Sequence, residues 1–356
     1  MGPDTRPGKE LDVTRAYLDW NATAPLRAEA RAAMVAAMDV VGNPSSVHAE
    51  GRAAKGLMER ARGQVAAAFG ADGADVIFVS GATEAAALAC AGRALVGAPV
   101  EHDAVAAWIE PVLAVDGRGQ VQVDEAGRTA LQAANSETGV VQDLPQGLAV
   151  VDATQVFGKI PFAFNWAGCT AALVSAHKLG GPKGIGALVL RRGTDLEAQL
   201  RGGGQEMGRR AGTENLLGVA GFGAAAEAAA RDLEQGVWAQ VEKLRNILEN
   251  VIADGAEETI FVGNDAPRLP NTSCFAMPGW KGETQVMQMD LAGYAVSAGS
   301  ACSSGKLRPS HVLQAMGHDE DVARCAIRVS LGPQSTEEEV LGFADAWLKH
   351  HRRRTG

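Results

Sequence analysis

A lysine set directly after an apolar strand offers the first chemistry: Ala171-Ala172-Leu173-Val174-Ser175-Ala176-His177-Lys178 runs into the glycine-rich turn of residues 180–186. At the end of a buried strand an ammonium loses water, its pKa falls, and the freed amine can form a Schiff base with an aldehyde. Taken alone, such a lysine is more often an ordinary loop residue, so its meaning depends on its neighbours. Val76-Ile77-Phe78-Val79 passes through Ser80-Gly81-Ala82-Thr83-Glu84 into a helix. Backbone N–H groups, the helix dipole and two hydroxyls then face one point, which suits a phosphate or, more plainly, a helix cap. The apolar run 148–151 ends in Asp152. A carboxylate there needs a cationic answer, such as the protonated nitrogen of a pyridine ring, or the backbone of a helix it caps. His102, beside Glu101 at a helix start, reads as a cap or core residue. Cys302 sits in Ser297-Ala298-Gly299-Ser300-Ala301-Cys302-Ser303-Ser304-Gly305-Lys306, whose small polar residues and glycines describe an exposed loop. A thiol there is a liability unless its reactivity is used.

The elements that must position these residues alternate. Apolar strands at 76–79, 148–151, 171–175 and 187–190 are separated by helical stretches, a pattern that predicts an α/β sheet with ligands at the carboxyl ends of its strands. Further strands are expected at 99–100 and 129–134, a hairpin over 111–123, and a serine-capped helix reaching residue 69. The stretch 216–248 reads as helical. The second glycine-rich loop, 202–214, carries Arg209 and Arg210 and suits close approach to an anion. Residues 180–186 are followed by a strand rather than a helix, which rejects a dinucleotide fingerprint. The 356 residues carry a formal net charge of -9, with 46% hydrophobic positions. That balance argues against nucleic acid as the main partner, and no apolar run is long enough to span a bilayer. A cytoplasmic protein is expected. The five cysteines form no CxxC pair, so neither a zinc site nor a disulfide framework is predicted. Cys90, Cys169 and Cys325 read as core residues.

Lys178, Asp152 and the Ser80–Thr83 turn together meet the three needs of pyridoxal phosphate: an amine for its aldehyde, a carboxylate for its ring nitrogen and a cradle for its phosphate. At that point the chain resembles the cysteine desulfurases, within the class V aminotransferase group of fold type I. The resemblance is carried by Leu18-Asp19 with Asn21-Ala22-Thr23, Gly42-Asn43-Pro44-Ser45-Ser46 with His48, Ser80-Gly81-Ala82-Thr83-Glu84, Glu101-His102, Val151-Asp152-Ala153-Thr154-Gln155, Ser175 with His177-Lys178, Arg210 with Gly212-Thr213, Ser300-Ala301-Cys302-Ser303-Ser304 and Arg328 with Ser330-Leu331-Gly332. The cysteine loop is similar to that of the branch serving nitrogen fixation and iron-sulfur-cluster assembly.

The resemblance implies a large domain with a mixed, mostly parallel sheet (residues 25–235), preceded by a segment (1–24) that packs with a smaller α+β domain (236–356) bearing Cys302. It implies that Lys178 binds pyridoxal 5'-phosphate covalently, with His102 stacked on the ring. Asp152 would pair with the ring nitrogen and Gln155 with the phenolic oxygen. Ala82, Thr83, Ser175 and His177 would hold the phosphate, with Thr213 arriving from a second subunit of a homodimer. Arg328, with Asn21 as a further substrate contact, would bind the carboxylate of L-cysteine, and Cys302 would take its sulfur for an acceptor protein such as an iron-sulfur scaffold. Ser136 stands in Asn135-Ser136-Glu137 where the family commonly has an asparagine facing the cofactor, and residues 143–147 are short where relatives carry a helix. The same residues would also serve a selenocysteine lyase or another β-eliminating pyridoxal enzyme. From a different class, a catalytically silent scaffold would keep the fold alone.

Overall fold

The computed structural model describes residues 15–299 and 309–355, so Cys302 and its loop lie outside the described residues. The described residues open with strand β1 (Ala16–Tyr17) and helices α1 (Ala28–Ala37) and α2 (Ala49–Ala68). The cap of α2 is His48 rather than a serine: its imidazole accepts the Gly51 N–H at 3.4 Å. Asn43 has already closed its own turn on the Ser45 N–H at 2.9 Å, which places the serines before the cap.

Next come β2 (Asp75–Val79), α3 (Ala82–Cys90), β3 (Leu95–Gly97), α4 (Asp103–Ala106) and β4 (Ile109–Pro111). The strand expected at 99–100 is thus β3, a few residues earlier. Residues 98–101 form a turn, with the Glu101 N–H donating to the Ala98 carbonyl at 3.1 Å. The expected hairpin reduces to one bridge, Val115 with Val121, because 109–111 pairs with β3 instead. The chain continues through β5 (Ala130–Gln132), β6 (Val150–Asp152), α5 (Phe164–Ala167), β7 (Ala171–Ser175) and β8 (Gly186–Leu190).

These strands form a five-stranded sheet of order β2-β8-β7-β6-β5. β8 runs antiparallel to both neighbours, while β5, β6, β7 and β2 share one direction. A parallel bridge from Val96 to Thr129 brings the parallel pair β3–β4 to the free edge. The sheet is therefore mixed and mostly parallel. Its strands are apolar throughout because both faces are covered. Val76 and Phe78, Ala172 and Val174, Ala187 and Val189 point to one face, where α2 and α6 (Leu216–Glu234) close a core around Phe69, Phe157 and Phe222. The intervening Ile77, Leu173 and Leu188 pack with Leu88 of α3 on the other.

The expected helix 216–248 is two helices, α6 and α7 (Val237–Gly255), separated at Gly236, whose φ of +70° suits glycine. β9 (Ile260–Phe261), β10 (Thr272–Ala276), α8 (Gly282–Leu291), β11 (Tyr294–Ala295), β12 (Ser297–Ala298), α9 (His311–Ala315), α10 (Glu320–Cys325), β13 (Ala326–Ser330) and α11 (Glu337–Thr355) follow. An antiparallel sheet of order β12-β13-β10-β9 packs against α7 and α11 through Phe275, Phe343 and Trp347. β1 adds parallel to β11, and a bridge from Asp19 to Ser330 lays the residues after β1 along β13. Among the described residues no helix is long and apolar enough to cross a membrane.

Candidate active site

A cavity of about 620 Å³ opens where β2, β6 and β7 end. Its lining includes Ala82, Thr83, His102, Ser136, Asp152, Gln155, Ser175, His177 and Lys178, so the sheet brings together residues spread over nearly a hundred positions. Asp152 and Ser175 end their strands and the others come within a few residues of a strand end, where a buried strand emerges from the core and polar side chains are tolerated.

At one wall, α3 begins at Gly81 with no side-chain cap, so its first N–H groups are free to face an anion. Glu84 does not compete for that point. Its carboxylate accepts the Ser80 N–H at 2.8 Å and pairs with Arg210 at 2.8 Å, which keeps it below the usual carboxylate range despite partial burial. Ser175 and His177 stand beside this helix end. Burial, then the charges of Lys178, Lys183 and Lys159, push the His177 imidazole down to about 4, so it is neutral and its Nδ1 lies 3.1 Å from the Thr23 hydroxyl.

Lys178 is placed by a one-turn 3₁₀ segment after β7. Its Nζ donates to the carbonyls of Asn21 at 2.6 Å and Ala22 at 3.0 Å. Asp152 accepts the Thr154 N–H at 2.9 Å, and the buried Thr154 hydroxyl on the cavity wall has no partner among the described residues. His102 caps α4, its Nδ1 accepting the Ala104 N–H at 3.1 Å; that bond places the remaining N–H on Nε2 when the ring is neutral.

Asn21 is 1% exposed and its side chain is fully engaged: it donates to Thr272 and the Ser136 carbonyl and accepts from Lys159 and Asn271. It is its backbone carbonyl that reaches Lys178 and Gln155. Arg328 is buried and does not itself line the cavity: it stands behind Ser136, donating to the Ser136 carbonyl at 2.9 Å and pairing with Asp19 at 2.7 Å. Thr213 is exposed and does not line the cavity.

Three features are not evident from the sequence. Lys159 is 2% exposed, and its Nζ donates to Asn21 Oδ1 at 2.9 Å and Gln155 Oε1 at 2.6 Å. Burial, then Lys178 and Arg328, hold its pKa well below the usual lysine value. The signal for it was a lysine inside the apolar run Val156-Phe157-Gly158-Lys159-Ile160. Glu101 is buried with Oε1 accepting the Gln132 N–H at 3.1 Å and Oε2 unpartnered among the described residues, and burial, with Asp152 adding, raises its pKa well above normal. Glu137 accepts the Ser310 hydroxyl at 2.5 Å, and burial pushes it up to about 7. Cys90, Cys169, Cys274 and Cys325 are buried, and burial raises the first three thiols to about 12, which leaves them unreactive.

Pyridoxal phosphate fits this donor set: an open helix start with a hydroxyl and a neutral imidazole, a carboxylate at a strand end and an amine, all lining one cavity.

The aminotransferase class-V family model matches residues 16–109 and 119–343. The chain is 39% identical over 367 residues to a cysteine desulfurase of Cereibacter sphaeroides, covering 92% of this chain and 93% of that protein. It is 38% identical to a cysteine desulfurase of Klebsiella pneumoniae, covering 92% and 90%. Among solved structures, a NifS-like protein from Rickettsia africae superposes with a TM-score of 0.86 at 29% identity, covering 95% of this chain and 99% of that one. SspA in complex with cysteine superposes with a TM-score of 0.74 at 25% identity, covering 90% of this chain and all of that one.

Proposed function

The chain belongs to the cysteine desulfurases, enzymes of the class-V aminotransferase family, and we propose that it converts L-cysteine to L-alanine at this cavity while Cys302 takes the sulfur. The observation that carries the reading is the meeting of Lys178, Asp152 and the open start of α3 in one cavity. When bound, pyridoxal phosphate supplies an electron sink that stabilises negative charge at the substrate Cα.

The chain's own residues do the rest. Lys178 would hold the cofactor and, when free of it, would move the Cα proton. Asp152 would keep the ring nitrogen protonated. Gln155, its oxygen used by Lys159 and one N–H by the Asn21 carbonyl, would offer its other N–H to the phenolic oxygen. Ala82, Thr83, Ser175 and His177 would bind the phosphate, His102 would stack on the ring, and Arg328 would grip the substrate carboxylate. The Cys302 thiolate attacks the substrate sulfur: an S–S bond forms as the C–S bond breaks, and the electron pair is reclaimed by a proton on carbon. L-cysteine and the Cys302 thiol become L-alanine and a Cys302 persulfide, whose outer sulfur passes to an acceptor protein such as an iron-sulfur scaffold. A homodimer completes the site through Thr213 of the second copy, and the reaction belongs in the cytoplasm. Residues 25–235 act as the cofactor-holding unit, and 236–356, with the first 24 residues, as the unit carrying Cys302.

Mass spectrometry of the cofactor-loaded protein after incubation with L-cysteine tests this directly. Cys302 should gain one sulfur atom, and Cys302→Ala should abolish sulfide release. A colourless protein that takes up no pyridoxal phosphate would point to a silent scaffold. A wild type that ignores cysteine, together with a Cys302→Ala protein that still turns over selenocysteine, would point to a lyase.

A further inference from the structure

Arg328 projects from β13 and is buried, yet its donors are unequally served. Nη2 pairs with Asp19 Oδ1 at 2.7 Å and Nη1 donates to the Ser136 carbonyl at 2.9 Å, while the buried Nε–H has no partner among the described residues. Buried donors are rarely left unpaired, so an orphaned N–H on a guanidinium whose two other nitrogens are each engaged marks where an acceptor belongs.

Asp19 is itself held on both sides. Its Oδ2 accepts the Ser297 hydroxyl at 2.8 Å. Its backbone bridges to Ser330, with the Ser330 N–H donating to Leu18 at 2.8 Å and the Trp20 N–H to Ser330 at 3.0 Å. Ser330 lies two residues from Arg328, so the bridge registers the carboxylate against the guanidinium. A carboxylate with both oxygens engaged cannot swing aside when an anion arrives.

We propose that Asp19 is a positioning residue: with the Ser136 carbonyl it clamps the Arg328 guanidinium so that the Nε edge is presented to the carboxylate of the amino-acid substrate. The proposal rests on the reading above, in which Arg328 receives that carboxylate. Asp19 touches no substrate and acts through Arg328 alone. Its charge also offsets that of Arg328, so the site binds a carboxylate by geometry more than by net attraction.

The test is steady-state kinetics of the cofactor-loaded enzyme with L-cysteine. Asp19→Ala should raise KM about tenfold or more with kcat changed by no more than about twofold, the pattern of lost ground-state and transition-state binding in equal measure. Asp19→Asn, which keeps the Oδ1 acceptor, should recover most of the loss. An unchanged KM in folded, cofactor-loaded Asp19→Ala overturns the proposal, and so does a loss of cofactor binding with no rise in KM, which would mean a structural role only. Should Asp19→Ala fail to fold, Ser297→Ala, which frees one side of the carboxylate, replaces it: a raised KM supports the clamp and an unchanged KM overturns it. Arg328→Lys separates the two levels. If the wild type is active and Arg328→Lys leaves KM unmoved, the role of Arg328 is wrong; if Arg328→Lys raises KM and Asp19→Ala does not, the clamp alone is wrong.

Discussion

Lys159 is an amine enclosed by protein, with two amide oxygens as partners and the charges of Lys178 and Arg328 opposing its own. Burial of an ammonium without a counter-ion is costly, so the neutral form is favoured. The neutral amine still supplies two hydrogen bonds, and they orient the amides of Asn21 and Gln155. Lys159→Met keeps the apolar stem but strands the Gln155 oxygen, at roughly 1–3 kcal/mol, and leaves Asn21 Oδ1 to Asn271 alone, partly offset by removing the buried amine. The expected net loss is about 1–3 kcal/mol in urea unfolding, with weaker pyridoxal phosphate uptake in equilibrium dialysis. Lys159→Gln, which restores one donor, should recover part of both. The apolar run around Lys159 marks it as buried but not what it meets, because its partner Asn21 lies 138 positions away and the two meet only in the fold. The same limit hides the Asp19–Arg328 pair, whose members are 309 positions apart.

Strands β2, β6, β7 and β8 are legible in the sequence because each is an apolar run ended by a polar or glycine-rich turn, and the site residues follow those ends. β3 is not, since Pro99-Val100 has strand-like composition and the true pairing of Leu95–Gly97 with β4 is decided by tertiary contact. The start of β8 shows how closely such ends must fit. A Cβ on Gly186 would stand 2.5 Å from the Val174 carbonyl and 2.8 Å from the Gly81 Cα, both backbone atoms that cannot rotate away. Gly81 sets the start of α3, so Gly186→Ala must displace either the sheet or the helix N-terminus offered to phosphate. Overpacking of this kind costs about 1–3 kcal/mol. Gly186→Ala should therefore lower the midpoint of urea unfolding and, in dialysis, raise the dissociation constant for pyridoxal phosphate, whereas unchanged cofactor affinity would show that the sheet gives way instead of α3.

Across the whole molecule, two buried acids, a buried lysine and a half-buried histidine sit around one cavity with opposite consequences for stability. Glu137, faced by Ser310, Arg328, Asp103 and His102, is raised to about 7. The folded state therefore holds a proton that the unfolded state has released between the ordinary carboxyl value and pH 7, and stability falls as pH rises through that window. His177, faced by Thr23, Lys178, Lys183 and Lys159, is depressed to about 4. Here the unfolded state binds the proton first, so stability is complete above the ordinary histidine value and is lost as pH falls toward 4. Glu101 acts in the same sense as Glu137, and Lys159 in the same sense as His177. In the window that Glu137 and His177 share the slopes oppose, each at most about 1.4 kcal/mol per pH unit, and the wild type should show a flatter pH profile there than either group alone would impose. Single variants remove one side of the balance. Measured by thermal unfolding of the cofactor-free protein, Glu137→Gln should make stability climb more steeply with pH between about 4.5 and 6.5 than in the wild type. His177→Asn should shift the slope the other way over the same range. Parallel profiles for all three proteins would mean that neither group keeps its shifted protonation in the fold.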